Sequence, residues 1–180
     1  IMVRLVKGAY WDTEIKRAQV EGLRDYPVFT RKAATDISYL CCAKKLLSMN
    51  DRVYPQFATH NAHTAAAVLA IADVDSDYEF QRLHGMGEGV FRLMRAKTSV
   101  RCRIYAPVGR HKDLLAYLVR RLLENGANSS FVNQIVDLDV PVSEVVSDPF
   151  EAKLIGESSP INLPKDLFQP ERVNSRGWDL

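Results

Sequence analysis

The chain has 180 residues, 47% hydrophobic and 26% charged, with 24 basic and 22 acidic side chains, a formal net charge of +2 and three cysteines. That composition excludes disordered, collagenous and disulfide-rich classes and leaves a globular chain long enough to bury one sizeable core. The charge is too balanced for a nucleic-acid face, and the longest apolar stretch, near Ala65 to Ala72, falls far short of the roughly 20 residues a membrane helix needs, so a cytoplasmic protein without nucleic-acid contact is expected.

One rhythm recurs four times: an apolar strand-like run, a small polar turn, then a helical pattern. The first unit has Val3-Arg4-Leu5-Val6-Lys7 as strand, Gly8-Ala9-Tyr10 as turn, and a helix from about Asp12, an N-cap candidate, toward Val20. Asp36 is a second N-cap candidate, before a stripe of Ile37, Leu40, Cys41, Ala43 and Leu46-Leu47 at helical spacing. Cys41 and Cys42 are adjacent and Cys102 is remote, which gives no C-x-x-C spacing, so all three are expected to be reduced packing residues.

The second strand, Val53-Tyr54-Pro55-Gln56-Phe57-Ala58, leads through Thr59-His60-Asn61 into an alanine-rich helix from His63 to Ala72. Pro55 is awkward there for a central strand. The third, Tyr78-Glu79-Phe80-Gln81-Arg82-Leu83, ends in His84-Gly85-Met86-Gly87 before a helix through Phe91, Leu93 and Met94. The fourth, Val100 to Tyr105, closes on Ala106-Pro107-Val108-Gly109, followed by a long helix from about Lys112 to Asn125 that Gly126 stops. Beyond about Val136, Pro141, Pro149, Pro160, Pro164 and Pro170 mark a tail, with Arg172 to Gly177 reading as linker.

Strands that alternate with helices require a parallel sheet, either doubly wound or part of a (β/α) barrel. In both, ligands bind at the carboxyl ends of the strands, which directs attention to the turns holding Lys7, His60, His84 and Tyr105. Lys7 suits a Schiff-base lysine, a cation for an anionic cofactor, or the solvated end of a strand. His60, His63 and His84 lack any recognised metal spacing, so no metal is expected and capping or core histidines are the plainer reading. Gly85-Met86-Gly87-Glu88-Gly89 resembles a dinucleotide loop but has Val90 where G-x-G-x-x-G needs glycine, which leaves a tight helix entry as the simpler alternative. On the last helix Asp113, Tyr117, Arg120, Arg121 and Glu124 form a polar stripe beside Leu115, Leu118, Val119, Leu122 and Leu123. That stripe is either a solvated face with an arginine–Glu124 pair or a forked receptor for a small carboxylate.

The ordered set Arg4-Leu5-Val6-Lys7-Gly8-Ala9-Tyr10-Trp11-Asp12, Phe57-Ala58-Thr59-His60-Asn61, Leu83-His84-Gly85-Met86-Gly87-Glu88, Arg103-Ile104-Tyr105-Ala106-Pro107-Val108-Gly109 and Leu118 to Val132 resembles proline dehydrogenase, and more narrowly that domain of the bifunctional proline utilisation A flavoproteins. The likeness runs from Val3 to at least Asp148, and Leu163 to Leu167 with Asn174-Ser175 resembles the connector to their aldehyde dehydrogenase half. It implies an α/β fold, a TIM-type (β/α) barrel of which this chain is the second half, residues 1–135, plus a helical and extended tail, residues 136–180. Ile1 would open the fifth strand, so the first half and its flavin and substrate contacts would lie elsewhere, and the chain alone would be an inactive fragment. The connection after Glu88 is also shorter than expected.

The resemblance further implies FAD-dependent oxidation of L-proline to Δ1-pyrroline-5-carboxylate, by hydride transfer to flavin N5 with a quinone as electron acceptor. By similarity Arg4, Val6, Lys7, Gly8, Ala9 and Trp11 would lie along the flavin. Thr30, Lys32, Thr59, His60, Asn61, Gln81, Glu124, Ser130 and Phe131 would hold the rest of the cofactor. Arg120 and Arg121 would clamp the proline carboxylate, while Tyr10, Tyr105 and Tyr117 shape the ring pocket. A homo-oligomer is expected, with a peripheral place at the inner membrane for the parent protein. Two other readings stand beside this one: a non-catalytic half-barrel that binds flavin or self-associates, and a Schiff-base lyase using Lys7.

Overall fold

The computed structural model describes residues 1–8, 10–126, 134, 136–151 and 161–176, with side chains of the long stretch described through residue 121. Four strands, β1 (Met2–Val6), β2 (Tyr54–Ala58), β3 (Glu79–Leu83) and β4 (Arg101–Tyr105), form one parallel sheet in chain order. The helices are α1 (Trp11–Glu21), α2 (Lys32–Leu47), α3 (Ala62–Ile71), α4 (Glu88–Lys97), α5 (His111–Gly126) and the short α6 (Val142–Val145). Strand followed by helix, four times with parallel neighbours, is the repeating unit of a TIM-type barrel, which confirms the α/β expectation.

The chain divides into two compact units. The first holds residues 1–7 and 36–147, and the second holds 8–35 and 148–180.

In the first unit, register sorts the side chains. Leu5 pairs with Phe57, Phe57 with Phe80 and Phe80 with Cys102, so one row runs across all four strands on a single face. That row packs against Tyr39, Ala43 and Leu47 of α2, Ala65 and Val68 of α3, and Phe91 of α4. Phe57, Tyr78, Phe80 and Phe91 meet edge-on or tilted, with ring centroids 5.6–6.1 Å apart, the arrangement the ring quadrupole favours.

Pro55 sits buried in β2 although β2 has neighbours on both sides. The Tyr54 N–H donates toward β1, to the Ile1 carbonyl at 2.8 Å. Alternation therefore turns the Pro55 nitrogen toward β3, and the β2–β3 ladder starts one residue later at Gln56 and Glu79. No ladder hydrogen bond is lost.

Both proposed aspartate caps are corrected. α1 begins at Trp11, with Tyr10 at the cap position and Asp12 inside the first turn. α2 begins at Lys32, four residues before Asp36. In each case the carboxylate sits within the helix instead of before it. Cys41 and Cys42 are exposed free thiols on α2, not packing residues, whereas half-buried Cys102 packs against the core. Tyr39, absent from the expected stripe, is buried in its place.

The second unit packs Ile15, Ala18 and Tyr26 together with Val28 and Ile161. Gly22 ends α1 in the left-handed region at φ 59°, and a Cβ there would stand 2.8 Å from the Ser175 backbone, so only glycine fits without a shift. Asn174 Nδ2 donates to the carbonyls of Gln19 at 2.6 Å and Pro164 at 2.8 Å, and its N–H donates to Lys165 O at 2.9 Å. Tyr26 Oη donates to Asn162 O at 2.7 Å. The stretch read as linker is thus tied through Asn174 to α1 at Gln19 and to the turn at Pro164 and Lys165.

Candidate active site

The second face of the sheet, one residue out of phase with the aromatic row, is polar. Its rows are Arg4–Gln56–Glu79–Arg101 and Val6–Ala58–Gln81–Arg103. Glu79 is its centre, a carboxylate only 2% exposed. Its Oε1 accepts from Gln56 Nε2 and Gln81 Nε2, both at 2.8 Å, and from Arg103 Nε at 2.7 Å. Its Oε2 accepts from Arg103 Nη2 at 2.9 Å and Tyr54 Oη at 3.4 Å. The Arg103 guanidinium, followed by Gln81 and Gln56, outweighs the effect of burial and holds the Glu79 carboxyl at about 2.

Gln81 links this carboxylate to β1, because its Oε1 accepts from Arg4 Nε at 2.9 Å. The Arg4 guanidinium lies over the Tyr105 ring, 5.1 Å from its centroid. Val6 and Ala58 are small, so the row that holds Gln81 is low across β1 and β2. Sequence reasoning selected Arg4, Val6, Gln81 and Tyr105 and missed Glu79. The available signal was a glutamate and a glutamine alternating in a strand expected to be covered on both faces.

At the end of β1, Lys7 Nζ donates to Asp36 Oδ1 and, at 2.9 Å, to Thr64 Oγ1, and it lies 5.2 Å from the Tyr39 ring centroid. Asp36 is therefore the anchor of Lys7 and not a cap. An ammonium held by a carboxylate presents charge, which fits the cation reading of Lys7 better than a nucleophilic amine. Burial pushes the Tyr39 phenol above its ordinary value, so it stays neutral.

The turn after β2 is held by its own side chains. Thr59 Oγ1 accepts from Asn61 N at 3.1 Å, and Asn61 caps α3 by accepting from Thr64 N at 3.1 Å. His60 Nε2 accepts from Leu83 N at 3.0 Å, which joins the ends of β2 and β3. Burial, with smaller contributions from Arg82, Arg121 and Arg4, lowers the His60 pKa, and a neutral ring with an unprotonated Nε2 matches its acceptor role. His63 is half-buried and His84 exposed, and among the described residues no His, Cys, Asp and Glu group is arranged for a metal. Gly85 and Gly87 take φ 82° and 67°, with Gly87 capping α4, so this turn is a tight helix entry.

On α5, Tyr117, Arg120 and Arg121 are half-buried, whereas Leu115, Leu118 and Val119 are 53%, 44% and 42% exposed. The solvated-stripe alternative is thereby reversed, since the guanidinium groups are more sheltered than the leucines. Arg121 stacks on Tyr117 at 4.8 Å. The Glu124 side chain and Ala9, Ser130 and Phe131 lie outside the described residues.

Gly8, Tyr10, Trp11 and Thr30 belong to the second unit, as does Lys32 at the start of α2. Trp11 Nε1 donates to Phe29 O at 2.8 Å, which fixes the loop beside it, while Tyr10 is exposed.

The donor set fits FAD. Arg4 and Lys7 supply cations, Gln81 supplies an amide, and small Val6 and Ala58 leave the sheet surface clear for a planar ring. Arg120 and Arg121 supply forked donors suited to a small carboxylate.

The family model for Proline dehydrogenase matches residues 1–134. Among similar proteins, the Bifunctional protein PutA of Salmonella typhimurium is 56% identical across the whole chain, which spans 15% of that relative. Its alignment runs over 197 positions against this chain's 180, so the relative carries stretches with no counterpart here. Proline dehydrogenase 1 of Bacillus subtilis is 35% identical over 72% of this chain and 39% of the relative. A crystal structure of a mutant Proline Utilization A from Bradyrhizobium japonicum, 60% identical, superposes with a TM-score of 0.90 over 98% of this chain and 18% of that one. A family match over three quarters of the sequence, with relatives this similar along the whole chain, establishes that the chain belongs to the proline dehydrogenase family.

Proposed function

We propose that this chain forms the carboxyl-terminal half of a FAD-dependent proline dehydrogenase site, oxidising L-proline to Δ1-pyrroline-5-carboxylate in proline catabolism. The carrying observation is the sheltered Tyr117–Arg120–Arg121 group on α5, with the Arg121 guanidinium over the Tyr117 ring. Arg120 and Arg121 bind the substrate carboxylate and so fix which ring carbon is presented for oxidation. Tyr117 and Tyr105 supply ring walls, each stacked on an arginine that limits its rotation.

Bound FAD would supply the two-electron chemistry by accepting a hydride at N5. Arg4 and Lys7 provide positive charge there, and neutral His60 with Asn61 shapes the turn at the cofactor's edge. Residues 1–135 form the barrel half and 136–180 its tail. The intact protein is a bifunctional homo-oligomer with an aldehyde dehydrogenase domain, working in the cytoplasm and passing electrons to a quinone at the inner membrane. Among the described residues no helix is long and apolar enough to cross a membrane.

In the intact protein Arg121→Lys replaces a fork with a point charge, and the KM for proline is expected to rise about tenfold or more. An unchanged KM would remove the clamp role. The flavin spectrum of the 180-residue chain, recorded anaerobically before and after L-proline, shows whether this half alone assembles the site. Bleaching means that it does, and a colourless chain means that chemistry needs the other half.

A further inference from the structure

No role has been assigned to the buried carboxylate of Glu79, yet five hydrogen bonds converge on it from Tyr54, Gln56, Arg103 and Gln81, the last a residue already placed at the cofactor. One of them settles a choice that Gln81 cannot make alone. An amide can present either its oxygen or its nitrogen to a neighbour, and only the oxygen can accept from Arg4. Because Glu79 accepts from Gln81 Nε2 at 2.8 Å, Gln81 Oε1 is left facing Arg4 Nε at 2.9 Å. Arg4 in turn lies over the Tyr105 ring. The path Glu79–Gln81–Arg4–Tyr105 thus joins a buried anion at the start of β3 to Arg4, midway along β1, and to Tyr105 at the end of β4.

We propose that Glu79 is a positioning residue for the flavin-binding face: by fixing the orientation of the Gln81 amide it holds the Arg4 guanidinium in place, and so sets cofactor affinity and reduction potential without contacting the cofactor. This rests on the reading above that Arg4 faces the flavin. The alternative arrangement shows why the carboxylate is needed. Glu79→Gln leaves one acceptor oxygen where there were two, so the Arg103 guanidinium competes for it, and a Gln81 amide that loses this contact can flip and present its NH₂ to Arg4, donor against donor. Arg103 cannot substitute, because it is itself a donor bound to the same carboxylate.

Two effects of Glu79→Gln have opposite signs, which makes the test sharp. Removing a negative charge near the flavin would by itself favour the electron-rich reduced ring and raise the midpoint potential. Displacing Arg4 withdraws a positive charge and lowers it. The experiment measures FAD dissociation and flavin midpoint potential in the intact protein for Glu79→Gln, Arg4→Lys and the double variant. Positioning predicts that Glu79→Gln weakens FAD binding by about tenfold or more and lowers the potential, and that adding it to Arg4→Lys weakens binding no further and leaves only the direct loss of negative charge, which raises the potential. A raised potential in the Glu79→Gln single variant, or affinity losses that add in the double variant, overturns the proposal while leaving the role of Arg4 intact. An Arg4→Lys variant with unaltered affinity and potential overturns the flavin-contact reading itself, and the proposal with it. Glu79→Asp keeps the charge but withdraws the oxygens from Gln81. It is expected to lower the potential as well, and it decides the matter if Glu79→Gln does not fold.

Discussion

The two faces of one four-stranded sheet differ in almost every property, though they are built from alternate residues of the same strands. Leu5, Phe57, Phe80 and Cys102 make one face an aromatic and aliphatic layer sealed by α2, α3 and α4. Arg4, Gln56, Glu79 and Arg101, with Gln81 and Arg103, make the other a hydrogen-bonded layer of charges and amides. Bulky branched residues are the usual filling of a parallel barrel's interior, and here only Val6 on β1 and Leu83 on β3 keep to it among the described residues facing that way. The difference teaches a division of labour: stability is concentrated on the helix side, and the polar side holds the donors of the site.

The comparison can be broken at its apolar end first. Phe80→Ala removes a fully buried ring that meets Phe57, Tyr78 and Phe91. Denaturant unfolding is expected to show a loss of about 3–5 kcal/mol. Glu79→Gln strikes the polar face, and the expected cost at neutral pH is smaller, about 1–3 kcal/mol. Its sharper signature lies in acid. The folded carboxyl is lowered to about 2 from 4.5, so its contribution is complete above pH 4.5 and disappears as pH falls toward 2. A pH titration of stability should therefore flatten between those limits in the variant, and a parallel acid limb would contradict the pairing.

Asn61→Ala removes the α3 cap where the polar face ends, with an expected loss of about 1 kcal/mol. Val6→Phe is the mildest for folding, since Val6 is 48% exposed, and a change within about 0.5 kcal/mol is expected by thermal unfolding. The same variant should impair FAD binding if that face receives the ring, so a stable variant with full affinity would erase the contrast.

Much of this was legible in the sequence. Alternation and turn residues located all four strands to within about a residue, and the strand-end rule picked out Lys7, His60 and Tyr105 before any geometry was known. Errors arose where a long-range partner overrode a local signal. Asp36 has the chemistry of a cap, but Lys7, 29 residues away, engages its carboxylate inside α2. Glu79 was not singled out, because nothing local announces that Arg103 will meet it from the next strand. Pro55 looked misplaced because its harmlessness depends on where the β3 ladder starts, which only register reveals. The second unit followed the same logic: proline and serine suggested a linker, and Asn174 tied it down.

Register also constrains how such a gene can change length. A slip of one residue in any of these strands would carry its core-facing side chains into the polar layer and its polar ones into the core, exchanging both faces at once. Insertions and deletions inside a strand are therefore close to lethal for fold and site together, whereas the same changes in a connection alter neither face. Length differences among descendants, such as the positions by which the Salmonella relative's alignment exceeds this chain, should have accumulated between the strands, where selection is blind to parity.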